Sequence, residues 1–80
     1  MRTANKWLRA HGFTVTRYGE ERQYLKAVDK HGTVVMIQHR KRYNVTIKTW
    51  DFKAKIRVEL RQGSVPTMMR LIEKYVGKTI

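Results

Sequence analysis

The sequence predicts an α+β domain, an antiparallel meander of five strands with an N-terminal and a C-terminal helix packed on its apolar face. Three observations predict this class. Helical spacing of apolar residues marks both ends of the chain, apolar and polar residues alternate through the middle, and short connections divide the alternating part. The 80 residues suit one domain, which we take as residues 1–80.

The first element is predicted to be a short helix. Thr3 is a suitable N-cap, and Gly12 suits the position that follows the C-terminus of a helix. Residues at the spacing i, i+3, i+4 and i+7 form one face, namely Ala4, Trp7, Leu8 and His11. This spacing places Trp7 in the core and lets His11 close the helix.

The last element is predicted to be a longer helix. Ser64 can cap it, Pro66 lies in the first turn, where a missing N–H does no harm, and Gly77 ends it. Its broad apolar face comprises Met68, Met69, Leu71, Ile72, Tyr75 and Val76.

Between the helices, alternating polarity predicts the strands Phe13–Tyr18, Arg22–Val28, Thr33–His39, Tyr43–Trp50 and Lys55–Arg61. Short loops join antiparallel neighbours, so the strands should form a meander. The loops that set the register are taken as Gly19–Glu21, Asp29–Gly32, His39–Arg42 and Asp51–Ala54.

That register predicts one face that is almost wholly apolar. It consists of Phe13, Val15, Leu25, Ala27, Val34, Met36, Val45, Ile47, Ile56, Val58 and Leu60. In the third strand, Val34 should lie opposite Ala27 and Ile47, and Met36 opposite Leu25 and Val45. The two helices would cover this face, and a sheet curled into a small closed barrel is the alternative.

Charge is the strongest compositional signal, with 18 Lys and Arg against six Asp and Glu and a net charge of +12. A compact chain with this charge repels itself, and a polyanionic partner relieves the repulsion. The 41% hydrophobic content indicates a folded domain rather than a disordered one. Nucleic acid, DNA or RNA, is therefore the first partner to expect.

The predicted binding surface is the opposite, basic face of the sheet together with a basic hairpin tip. Lys48 should lie opposite Arg57, a repulsive pair unless an anion bridges it, and Trp50 beside Lys55 should offer a stacking platform. Arg40-Lys41-Arg42 could track a phosphate backbone. The candidate residues are Arg22, Tyr24, Lys26, His39, Arg40, Lys41, Arg42, Lys48, Trp50, Lys53, Lys55, Arg57 and Arg61.

Two other features keep alternatives open. Val28, Val35 and Ile37, with Tyr24, would form an apolar strip on the basic face, which suits a homodimer, a partner contact or a second small core. The runner-up function is an interaction or inhibitor protein, for example one encoded by a phage or mobile element, that binds an acidic partner surface.

The sequence offers little for catalysis. Histidines and carboxylates are few, none has metal-ligand spacing, and the glycines are isolated, so we expect no enzyme, metal or cofactor. A ribonuclease that uses His39 is a distant third reading. The chain lacks cysteine, an apolar run of membrane-spanning length and a signal-peptide pattern. We therefore expect a cytoplasmic or nucleoid-associated protein that is neither secreted nor bound to a membrane.

Overall fold

The computed structural model describes residues 2–49, 52–59 and 64–77. Two helices and five strands follow in the order α1 (Arg2–Ala10), β1 (Thr14–Tyr18), β2 (Tyr24–Val28), β3 (Val34–His39), β4 (Arg42–Lys48), β5 (Lys53–Glu59) and α2 (Ser64–Gly77). The predicted α+β class is confirmed. Neither helix in this part of the chain is long and apolar enough to cross a membrane.

The strands form one antiparallel sheet in the order β1-β2-β3-β4-β5. Because β1 and β5 are both edges, the sheet is an open meander and the barrel alternative is wrong. Helix α1 packs against β1, and α2 packs against β4 and β5. The guanidinium of Arg9 in α1 also donates to the carbonyl of Val15 in β1, at 3.2 Å.

One core lies between the helices and a single face of the sheet. Its buried hydrophobic residues are Ala4, Leu8, Phe13, Val15, Leu25, Ala27, Val35, Ile37, Tyr43, Val45, Ile47, Val58, Met68, Met69, Ile72 and Val76. Trp7 is half-buried at the margin of this core, where its ring stacks on His11 with centroids 3.9 Å apart. The prediction that Trp7 lies fully in the core is therefore only partly correct.

The predicted face of β3 is wrong. Val35 and Ile37 are buried, whereas Val34 and Met36 point away from the core. In the observed register Val35 pairs with Ala27 and Ile47, the partners predicted for Val34. Because side chains alternate along a strand, this one-residue difference exchanges the two faces of β3.

The β2–β3 turn explains the difference. Val28 pairs with Val34, so the connection has five residues rather than four. The Asp29 carboxylate accepts the backbone N–H groups of His31 at 2.9 Å and Thr33 at 2.8 Å. Gly32, at φ +81°, donates its N–H to the Asp29 carbonyl at 3.2 Å. These bonds draw Thr33 into the turn, and the β3 alternation starts one residue later.

The other turns also differ from those predicted. The β1–β2 connection runs from Gly19 to Gln23, which shifts the register by two residues, and β4 pairs with β5 four residues away from the predicted register. Even shifts keep the same faces, so the core faces of β1, β2, β4 and β5 are as predicted. In the β4–β5 turn, the Thr49 N–H donates to the Phe52 carbonyl at 2.9 Å.

Candidate nucleic-acid interface

The sheet face opposite the helices, here called the open face, carries three cross-strand rows. The first row is Tyr18, Tyr24, Gln38, Asn44 and Arg57. The second is Thr16, Lys26, Met36, Thr46 and Lys55. The third is Thr14, Val28, Val34, Lys48 and Lys53. None of the residues in these three rows is acidic, and the rows carry basic residues on β2, β4 and β5.

Two tyrosines and an arginine form an aromatic and cationic cluster at one end of the first row. Tyr18 and Tyr24 stack with ring centroids 5.1 Å apart and an interplanar angle of 18°. The Arg40 guanidinium lies 5.8 Å from the centroid of the Tyr24 ring. A Cβ at Gly19, at φ +99°, would lie 2.8 Å from the Tyr24 ring, so glycine permits the close approach of this turn.

The amides Gln38 and Asn44 occupy the middle of the first row, and Arg57 ends it on β5. A shallow depression of about 370 Å³ lies between β4 and β5 and is lined in part by Asn44, Lys55 and Arg57. Amide side chains can bond both donors and acceptors on base edges, and arginine can bond a phosphate or guanine.

The lysines of the second and third rows lie on one side of this polar centre. Lys26, Lys48, Lys53 and Lys55 are exposed, as is Arg57. Lys48 lies opposite Lys53, and Arg57 lies opposite Asn44, so the predicted Lys48–Arg57 pair is wrong. The β4–β5 turn has the predicted length of four residues but begins two residues earlier in the chain, which moves every β5 residue relative to β4. Arg42 is half-buried and pairs in register with Glu59.

Four further predicted residues lie at the end of the sheet, where the β1–β2 and β3–β4 turns meet. A cleft of about 690 Å³, here called the turn-end cleft, is lined by Arg17, Glu20, Glu21, Arg22, Gln23, His39, Arg40 and Lys41. Arg22 was expected on the open face but lies in the turn at φ +53°. His39 was also expected there, but the altered face of β3 places it on the core side, stacked on Tyr43 with ring centroids 4.5 Å apart.

The turn-end cleft is held together by backbone and side-chain bonds. The Arg17 guanidinium donates through Nη2 to the carbonyl of Arg22 at 2.8 Å, and the His39 N–H donates to the carbonyl of Gln23 at 2.9 Å. Burial, assisted by the positive charge of Arg17, lowers the pKa of His39 below its usual 6.5. The imidazole is therefore mainly neutral at neutral pH.

The structure thus divides the predicted site into two surfaces. Tyr24, Lys26, Arg42, Lys48, Lys53, Lys55 and Arg57 lie on the open face, while Arg22, His39, Arg40 and Lys41 line the turn-end cleft. Trp50 and Arg61 lie outside the described residues. The predicted apolar strip is wrong because Val35 and Ile37 are buried in the core.

Among the residues of these surfaces that the predicted site lacks are Arg17, Tyr18, Gln38 and Asn44. Tyr18 and Asn44 could have been included, since alternation already places them on the basic face. Gln38 was missed because the face of β3 was assigned wrongly. No signal in the sequence joins Arg17 to residues of the β3–β4 turn.

A scan against protein-family models gives no match to this chain, and comparisons with curated proteins and with solved structures give no significant match.

Proposed function

We propose that this protein binds nucleic acid through the open face of its sheet, without catalysing a reaction. The observation that carries the proposal is the first row, in which stacked tyrosines, two amides and an arginine follow one another across five strands. Lys26 on β2 and Lys55 on β5 lie in the adjacent second row.

Each component suits a different part of a nucleic acid. Exposed aromatic rings stack on bases of any sequence, amides bond base edges, and lysines neutralise phosphates. Tyr18 is 47% exposed, so one ring of the stacked pair is available to a base. The net charge of +12 adds long-range attraction for a polyanion.

The dimensions of the face favour a single strand as ligand. Five strands at a spacing of about 4.8 Å span roughly 19 Å, whereas the major groove of B-DNA is about 12 Å wide. A duplex groove therefore cannot accept the whole first row. A single strand with unstacked bases can lie along it.

Fluorescence anisotropy with labelled single-stranded and duplex oligonucleotides of mixed sequence tests the proposal. We expect tighter binding of the single strands. The double variant Lys26→Gln/Lys55→Gln should weaken binding about tenfold or more. Lys6→Gln/Lys30→Gln removes equal charge from exposed positions on α1 and in the β2–β3 turn, and it should have a smaller effect.

Equal losses in the two double variants would show that total charge alone attracts the ligand, and the assignment to the open face would fail. A pull-down with and without nuclease treatment separates the runner-up function. A partner that is retained after nuclease treatment would indicate binding to an acidic protein surface instead.

A further inference from the structure

The turn-end cleft gathers cationic side chains from three parts of the fold. Arg17 reaches it from β1, Arg22 from the β1–β2 turn, and Arg40 and Lys41 from the β3–β4 turn. The carboxylates of Glu20 and Glu21 also line it, so four cations stand against two carboxylates. The balance in the cleft is therefore positive.

Arg17 is the best-placed ligand donor in this cleft. Its Nη2 donates to the carbonyl of Arg22, a bond that orients the guanidinium plane. Its Nε is buried and has no hydrogen-bond partner within the described residues. A buried donor without a partner is unfavourable, and an oxyanion that accepts from it relieves the penalty.

His39 adds a second hydrogen-bond donor, and its imidazole can take up a proton when an anion binds. Its ring is held against Tyr43, and the charged groups around the cleft are Arg17, Glu20, Glu21, Arg22, Arg40 and Lys41. Without an anion, protonation of His39 would add one more cation to this cluster. A bound anion reverses that repulsion and favours the protonated ring.

We propose that the turn-end cleft binds a phosphate group in its dianionic form, with Arg17 as the principal donor and Arg22, Arg40 and Lys41 as flanking cations. A planar guanidinium suits the paired oxygens of phosphate. A dianion also neutralises the cluster better than the single charge of a phosphodiester, which distinguishes this site from the open face.

The phosphate has two sources, a free phosphate compound or the terminal phosphate of a nucleic-acid strand. Arg40 connects the two surfaces, because it lines the cleft while its guanidinium lies over Tyr24 of the open face. A strand bound along the first row could therefore place its end in the cleft. That second source rests on the proposed function, whereas the cleft itself does not.

Inorganic phosphate is the direct probe, with the imidazole resonances of His39 followed by NMR at constant ionic strength. We expect phosphate to raise the pKa of His39, and chloride at the same ionic strength to leave it unchanged. Arg17→Met should weaken phosphate binding at least fivefold. Arg17→Lys should also weaken it, because the charge is kept but the planar donor is lost. Arg70→Met, which removes an exposed charge on α2, should change affinity less than twofold.

Should Arg17→Met fail to fold, the exposed turn residue Lys41 provides the variant Lys41→Met, for which a measurable loss of phosphate binding is expected. The proposal is overturned when phosphate leaves the His39 resonances unchanged, or when Arg70→Met weakens binding as much as the cleft variants do.

Oligonucleotides of one sequence, with and without a terminal phosphate, identify the source. A preference for the phosphorylated strand that disappears in Arg17→Met indicates a strand end. Phosphate binding without that preference indicates a free phosphate compound. If inorganic phosphate binds the cleft but no oligonucleotide binds the protein, the proposed function fails and the cleft proposal stands.

Discussion

Tyr18 and Tyr24 are direct neighbours across β1 and β2, and their rings stack 5.1 Å apart on the open face. Tyr24 is half-buried beside Gly19, while Tyr18 is 47% exposed. The half-buried Tyr24 ring therefore supports the Tyr18 ring, and much of Tyr18 stays accessible to solvent. The stacked pair gives the open face a flat aromatic surface.

Tyr18→Ala is expected to weaken single-strand binding about tenfold, because loss of one stacked base contact costs roughly 1–3 kcal/mol. The melting temperature should change little, since Tyr18 lies outside the core. Anisotropy titration and thermal unfolding measure the two effects. Tyr43→Ala is the matched control, since Tyr43 is buried and its removal should cost several kcal/mol of stability. Unaltered affinity in Tyr18→Ala would remove the stacking role.

Lys48 and Lys53 face each other on the open face, next to the turn that joins β4 to β5. Lys53→Thr should leave the free energy of unfolding unchanged or raise it by up to about 0.5 kcal/mol, because a like-charge pair is relieved. The same change should weaken nucleic-acid binding. Arg57→Thr provides the comparison, since Arg57 lies opposite Asn44 and its loss relieves no such pair. Urea denaturation that shows a clear destabilisation in Lys53→Thr would argue against the observed register.

Binding should depend steeply on salt. If about five phosphates are neutralised, the slope of log K against log salt concentration should lie between about −3.5 and −4.5. Affinity measured over a series of salt concentrations gives the slope. Tight binding that persists at high salt would contradict an interaction dominated by phosphate neutralisation.

Asp29→Ala should lower the free energy of unfolding by about 1–3 kcal/mol, because two backbone N–H groups lose their acceptor. Asp29→Asn keeps a side-chain oxygen and should retain most of the stability. Chemical denaturation compares the two variants. Equal stability of Asp29→Ala and the wild type would show that the carboxylate does not stabilise this turn.

The lowered pKa of His39 predicts a pH dependence of stability. The folded protein disfavours protonation of this ring more than the unfolded chain does. The stability that the neutral His39 ring provides is therefore fully present above pH 6.5, and it is lost as the pH falls through the lower pKa of the folded state. Unfolding free energy should therefore decline on acidification, and His39→Gln should reduce the decline. His31→Gln, in an exposed turn, should leave it in place. An unchanged pH profile in His39→Gln would contradict the assignment.

Much of the fold could be predicted from the amino-acid pattern, namely the fold class, the seven elements and the core faces of four strands. Polarity alternates clearly in β1, β2, β4 and β5, so only one face of each could be buried. The net positive charge follows from the composition, and the basic character of the open face follows from this alternation.

The face of β3 depends instead on how the adjoining turns fold. Val34, Val35, Met36 and Ile37 are all apolar, so alternation could not choose between the two faces, and the choice depended on a one-residue difference in each adjoining turn. The side-chain bonds of Asp29 lengthened the β2–β3 turn. The turn-end cleft had the same origin: residues distant in sequence met there because the length of each turn determined which side chains reached the end of the sheet.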